Sequence, residues 1–301
     1  MPKPKVDQLA VLTAQLSQLS CFAHIKSISL IEQGDSHQCF KVVDIHNSFF
    51  VKYFKNSNQS HHQNKLNKLA ANSGLSPDLI YSDKFWQVHQ FIEGTSLNLC
   101  QLPLNEKIQH GIKLMVGCHQ SIDINKLTDF PILNITKIIK PLTINLTTEQ
   151  KSIISKISDK LSNIMVITPQ VLCHGDINFS NIILANEPWL VDFECACVAE
   201  QEFDIAMMIS VNELLTGSMT TVIDFCVDYY TVISESQGKV DKEKVMRYLY
   251  FSFVINGLWY LARYRENKDK SFKYKAFKQF ELFDKCHFIT KNLTAEMSRS
   301  A

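Results

Sequence analysis

Residues 171 to 196, VLCHGDINFSNIILANEPWLVDFECA, set Asp176, Asn181, Asp192 and Glu194 among runs of apolar residues, in a chain that elsewhere scatters its carboxylates. Asp176 and Asn181 lie five apart in a loop between apolar strands, and Asp192 follows eleven residues later at the end of the next one. Oxygen donors that converge in this way suit a hard divalent cation such as Mg²⁺, which takes one or two protein carboxylates and completes its octahedron with water and phosphate oxygens. A single aspartate in such a loop is more often a cap or a turn former. Here three donors stand in order, with a strand lysine upstream, Lys52 in FFVKYF, and that conjunction points to phosphate chemistry.

The elements that must position these residues are legible in the hydrophobic pattern. Residues 25–54 read as a meander of antiparallel strands, with turns at Gly34-Asp35-Ser36 and near His46-Asn47-Ser48. Residues 58–73 place Leu66, Leu69 and Ala70 at helical spacing, Gly74 follows in the C-terminal capping position, and Pro77 lies just beyond. Strand character returns over 79–97 as a hairpin about Asp83-Lys84 and breaks at Glu93-Gly94. After Gly94 the spacing predicts helices over 105–121, 147–163, 203–216, 218–236, 241–265 and 272–291, with the acidic segment as a strand-like insert between the second and third. The expected division is therefore residues 1–92 as a small sheet-bearing lobe and 93–301 as a larger, mainly helical lobe. A cleft between two such lobes is a favoured ligand site.

Composition narrows the function classes. Thirty-one lysines and arginines nearly cancel thirty aspartates and glutamates, and no block of like charge appears, so neither a nucleic acid nor an anionic membrane is an expected partner. The nine cysteines form no C-x-x-C pair and sit mostly in apolar contexts, which points to a reducing compartment, the cytoplasm. The first twenty residues look like a short amphipathic helix rather than a secretory signal, and the apolar run 248–262 is too short and too interrupted to span a bilayer. No G-x-x-x-x-G-K-[ST], G-x-G-x-x-G or H-E-x-x-H motif occurs.

The order His174-Gly175-Asp176, Asn181, Asp192-Phe193-Glu194, then Phe203-Asp204-Ile205-Ala206, resembles the aminoglycoside phosphotransferase and choline kinase-like superfamily. GLSPDLIY (74–81), FIEGTSL (91–97) and LMVGCHQSI (114–122) are similar to recurrent segments of that family in the same order. NGLWYLARY (256–264) is similar to a later helix of its choline, ethanolamine and thiamine kinase-like members. The resemblance implies an α+β, two-lobed protein-kinase-like fold and an ATP- and Mg²⁺-dependent transfer of phosphate to a hydroxyl. It implies Asp176 as catalytic base, and Asn181 and Asp192 as Mg²⁺ ligands. Lys52 matches the strand lysine that grips the nucleotide phosphates, and Gly34 and Ser36 lie in EQGDSHQCFKV (32–42), where the phosphate-covering loop falls. Gln90 to Ile92 would be the lobe connection whose backbone hydrogen-bonds the adenine. His174 is expected to stabilise the catalytic loop, and Asp204 to anchor it from the following helix.

The chain departs from the family pattern in its nucleotide loop, where Gly34 is the only glycine, so phosphate contacts would depend on Ser36 and the backbone near His37. Gln63 stands where the family's helix offers a glutamate to the lysine; between Glu32 and Asp78 the only acidic residues are Asp35 and Asp44. Glu194, Glu200, Glu202 and Glu213, together with aromatics such as Trp259, make a cationic acceptor the expectation, with choline, ethanolamine or thiamine ahead of an aminoglycoside or sugar. The other readings are a non-catalytic nucleotide-binding protein of the same fold and, ranked last, a metal-dependent phosphohydrolase.

Overall fold

A computed structural model describes residues 6–31, 37–54, 60–127, 130–165, 168, 170–215, 217–235, 240–286, 288 and 292–298. The expected turn at Gly34-Asp35-Ser36 lies outside the described residues. In chain order the elements are α1 (Val6–Leu16), β1 (Ile25–Ile31), β2 (Gln38–Asp44), β3 (Ser48–Tyr53), α2 (Ser60–Asn72), β4 (Leu79–Ser82), β5 (Trp86–Gln90) and β6 (Thr95–Ser96). Then follow α3 (Leu104–Ser121), α4 (Ile135–Leu142), α5 (Thr148–Ile164), β7 (Val171–Cys173), β8 (Ile182–Leu184), β9 (Pro188–Leu190) and β10 (Cys197–Ala199). The chain ends with α6 (Gln201–Val211), α7 (Met219–Ile233), α8 (Lys242–Asn267), α9 (Lys270–Lys285) and α10 (Leu293–Ser298). Two compact units result, residues 1–100 with 180–194, and residues 101–179 with 195–301.

The first unit is built on a five-stranded antiparallel sheet in the order β1-β2-β3-β5-β4. Its inward face carries Phe40, Val42, Phe49, Val51, Trp86 and Val88, which pack with Leu12 and Leu16 of α1. Because side chains alternate across a strand, Lys52, next to Val51, turns to the opposite face, where Cys39 and Gln87 are its cross-strand neighbours. Turns follow side-chain chemistry: Asp44 accepts hydrogen bonds from the His46 and Asn47 amides, and Asp83 from those of Phe85 and Trp86. The α2 helix ends as its Gly74 forecast. Gly74 has φ +69°, its amide donates to Ala71 and that of Leu75 to Ala70, the paired bonds of a left-handed glycine cap. The acidic segment enters this unit as β8 and β9, and β6 pairs with β8.

The second unit is mainly helical, with a two-stranded ladder of β7 and β10. Its longest helix, α8, and the following α9 are antiparallel neighbours that approach at Gly257, where a Cβ would lie 2.3 Å from the Phe280 ring. Thr147 and Gln150 form a reciprocal capping box at the start of α5. The expectation of one helix over 203–216 is corrected: α6 stops at Val211 because Asn212 leaves the helix with its side chain engaged elsewhere and Glu213 follows at φ +52°. Likewise α9 stops at Lys285 rather than 291. The sheet-bearing unit and the helical unit make the fold α+β, as the sequence pattern requires. Among the described residues no helix is long and apolar enough to cross a membrane.

Candidate active site

In the first unit the Lys52 amine lies 2.7 Å from Asp192 Oδ1 and 3.6 Å from Glu194 Oε2, although 140 residues separate the lysine from Asp192. Lys52 is buried. Burial alone pulls its amine down, and the Asp192 and Glu194 carboxylates more than offset this, holding it above the ordinary lysine value. Asp192 is half-exposed and sits at φ +65°, a left-handed conformation that costs a non-glycine residue about 1 kcal/mol or more. Such strain, on a carboxylate open to solvent beside a buried cation, is a mark of functional geometry. Glu194 Oε2 also stands 3.3 Å from His37 Nδ1, close enough for an ion pair but not aligned for a hydrogen bond.

The remaining residues expected on the nucleotide side are distributed unevenly. Asn181 belongs to the same unit and closes the short 3₁₀ turn Phe179–Asn181, its carbonyl accepting from the Val191 amide. The Gln90 amide donates to Asp78 O and the Phe91 amide to Ser48 O. Gln63 makes no hydrogen bond to Lys52 among the described residues. Gly34 and Ser36 lie outside the described residues. The donor chemistry fits a hard divalent ion, because Asp192 and Asn181 both offer oxygen and Asp192 is accessible.

In the second unit the segment His174-Gly175-Asp176 is gripped from α6. The buried Asp204 accepts from the His174 amide at 2.8 Å and the Gly175 amide at 2.7 Å. Asp204 lies in the first turn of α6, where the helix dipole favours a negative charge. Gly175 has φ +76°, and a Cβ there would stand 2.4 Å from the Cys195 carbonyl oxygen, so only glycine fits. The Asp176 amide donates to His174 Nδ1 at 3.3 Å, so the imidazole braces the loop from within. Asn212 completes the grip: its Oδ1 accepts from the Phe179 amide and its Nδ2 donates to Ile177 O, each at 2.8 Å.

Several members of this network were not singled out from the sequence, Asn212 among them. His119 of α3 places Nε2 3.0 Å from Asp204 Oδ2 and Nδ1 2.8 Å from the Tyr230 hydroxyl, and Tyr230 in turn donates to Gln201. A histidine on the apolar face of a predicted helix was the available signal for His119; Tyr230, 111 residues away, offered none. Cys173 Sγ is near His119 and Asp204, but burial holds its thiol well above the ordinary range and it donates to Glu200 O. Within the trio His119 and Asp204 are joined by a hydrogen bond, and the Cys173 thiol is turned to the Glu200 carbonyl.

The residues expected to favour a cationic acceptor are engaged within the protein. Glu200 accepts from Lys244 at 2.7 Å and from the Tyr248 hydroxyl at 2.8 Å, Glu202 accepts from the Asp241 amide, and Glu213 pairs with Lys278. Trp259 lies in α8 with the Arg263 guanidinium 5.1 Å from its ring. Glu194 belongs to the first unit, beside Lys52.

Residues 149–225 match the APH family, described as phosphotransferase enzymes. No curated protein sequence matches the chain. Among solved structures, the choline kinase LicA from Streptococcus pneumoniae superposes with a TM-score of 0.68 at 16% identity, over 93% of this chain and 98% of that one. The Plasmodium vivax ethanolamine kinase gives 0.68 at 15% identity, over 94% and 90% of the two chains. Spectinomycin phosphotransferase APH(9)-Ia, solved in complex with ADP and spectinomycin, gives 0.58 at 17% identity, over 93% and 94%. At these identities the likeness is one of fold. Residues 149–225 are thus similar to the APH phosphotransferase enzyme family, and the chain has the fold of choline and ethanolamine kinases and aminoglycoside phosphotransferases.

Proposed function

We propose that the protein is an ATP- and Mg²⁺-dependent phosphotransferase acting on a hydroxyl of a small molecule. The observation that carries this reading is the Lys52 amine held 2.7 Å from the Asp192 carboxylate. Phosphoryl transfer needs that pairing, a cation for the phosphates beside an oxygen donor for a divalent ion. In this reading Lys52 grips the nucleotide phosphates and the backbone of Gln90 to Ile92 meets the adenine. With Gln90 and Phe91 amides used within the sheet, the Ile92 amide is the donor the reading relies on. Asn181 and Asp192 hold Mg²⁺, which when bound neutralises charge on the phosphate oxygens. Asp176 orients the acceptor hydroxyl and takes its proton as the oxygen bonds to the γ-phosphorus and the bond to ADP breaks. His174 and Asp204 hold that loop in place, so most of the catalysis is positioning.

The acceptor in this reading is a small cationic alcohol, choline, ethanolamine or thiamine ahead of aminoglycosides and sugars. Its support is the resemblance over 256–264 and the fold shared with choline and ethanolamine kinases. The carboxylates of Glu200 and Glu213 add nothing to it, being paired with Lys244 and Lys278, and that of Glu202 accepts from the Asp241 amide. A cytoplasmic location fits the nine free cysteines.

The test is ADP formation from Mg-ATP across a panel of amino alcohols, thiamine, sugars and aminoglycosides. One class should release ADP, and Asp176→Asn should lower that rate on the order of a thousandfold. Silence across the panel, with nucleotide still binding, would replace this reading with a non-catalytic nucleotide-binding protein. Phosphate release without an acceptor would replace it with a hydrolase.

A further inference from the structure

Lys52 lacks the helix carboxylate that its role calls for, and the structure shows what stands there instead. α2 does reach the Lys52 face of the sheet, since Gln87, the cross-strand neighbour of Lys52, donates through Nε2 to Asn64 of α2. Yet among the described residues no hydrogen bond or ion pair joins Lys52 to α2; its amine lies between Asp192 at 2.7 Å and Glu194 at 3.6 Å. The second carboxylate has a further neighbour. His37 ends the segment that follows β1, its ring is nine-tenths buried edge-on against Phe54 with centroids 4.9 Å apart, and its Nδ1 faces Glu194 Oε2 at 3.3 Å without a hydrogen-bond partner.

We propose that Glu194 is the positioning residue of Lys52, replacing the missing helix carboxylate, and that it couples the amine to His37. The inference rests on the nucleotide-binding reading above. Its physical basis is a division of labour between two carboxylates two residues apart. Asp192 is the closer partner of the amine, but a carboxylate that binds a divalent ion gives much of its charge to that ion. Glu194 then remains as the counter-charge that keeps a flexible lysine directed at phosphate, and a charge-assisted contact serves this better than the neutral amide of Gln63 could. His37, buried with an unpartnered nitrogen, faces the same carboxylate as the lysine.

The experiment is isothermal titration of the full-length protein with ATP, once with Mg²⁺ and once with EDTA, for wild type, Glu194→Gln, Glu194→Asp and Gln63→Ala. Loss of lysine orientation should weaken ATP about tenfold in Glu194→Gln with Mg²⁺, and less with EDTA, where Asp192 keeps its full charge beside the amine. Glu194→Asp should recover part of the loss, and Gln63→Ala should stay within about twofold of wild type. Unchanged or tighter binding in Glu194→Gln would overturn the proposal, because Glu194 would then be no more than a charge repelling phosphate. Full ATP affinity restored to Glu194→Gln by raising Mg²⁺ would overturn it in favour of a metal ligand, and a loss in Gln63→Ala equal to that in Glu194→Gln would return the role to α2. Wild type that binds no ATP in either condition would overturn the nucleotide reading as well; binding by wild type with an indifferent Glu194→Gln overturns this inference alone.

Discussion

Lys52 and His89 stand on neighbouring strands of one sheet, both buried, and meet burial in opposite ways. Lys52 keeps its charge because two carboxylates reach it. His89 has only the Pro77 carbonyl, 3.5 Å from Nδ1, and burial pulls its imidazole down to about 4. A histidine depressed in the folded state leaves the unfolded chain holding the extra proton between its ordinary value and about 4. Stability is therefore fully present above about pH 6.5 and falls as pH drops through this window, by about 2–3 kcal/mol. Urea unfolding at pH 7, 5.5 and 4.5 should show that decline, and His89→Asn should flatten it; parallel wild-type and variant curves would assign the decline to other groups. At this scale the sequence singled out Lys52, Asp176, Asn181 and Asp192 by type and order, and the structure brings Lys52 to Asp192. The sequence did not single out the side chain of His37, set between Ser36 and Gln38, or His119, because a lone histidine carries no spacing to a partner far along the chain.

Among the elements, α6 is the one on which the loop His174-Gly175-Asp176 hangs. Asp204 in its first turn and Asn212 at its end hold the loop from both sides, and His119 of α3 and Tyr230 of α7 close the network behind Asp204. His119→Leu leaves a fully buried carboxylate short of one charge-assisted bond and should lower stability by about 2–3 kcal/mol. If the network serves only folding, kcat of the stable fraction will be unchanged; if it positions Asp176, kcat will fall while KM for ATP stays close to wild type. The packing of α8 on α9 offers a cleaner stability test. Gly257→Ala drives a methyl group into Phe280 and should cost about 1–3 kcal/mol, read as a lowered thermal midpoint with no change in nucleotide affinity. The helices themselves were visible as apolar periodicity, yet α4 was missed, being eight residues long with Pro141 in its last turn. The apolar pattern also ran past the true end of α6, since periodicity cannot register that Asn212 is taken up by the backbone of Ile177 and Phe179.

For the whole molecule, binding and turnover should separate. Mg-ATP at a hundredfold excess over its dissociation constant should stabilise the protein by about 2.7 kcal/mol. Asp176→Asn should keep that stabilisation while losing ADP formation, whereas Lys52→Ala should lose most of it; the thermal shift of each variant beside its ADP rate decides the matter. Equal loss of both readouts in Asp176→Asn would mean that the loop supports binding rather than chemistry. The sequence alone determined the inventory and its order: a sheet-bearing segment with one buried-strand lysine, an acidic insert, and helices after it. Those features are local, because alternation of two and of 3.6 residues, caps and turn formers are read within a few positions of one another. Only the tertiary structure decided that Lys52 meets two carboxylates rather than α2, that His119 joins Asp204 to Tyr230, and that Glu200, Glu202 and Glu213 serve their own neighbours. Such pairings depend on where the chain returns to itself, and no periodicity in the sequence carries that distance.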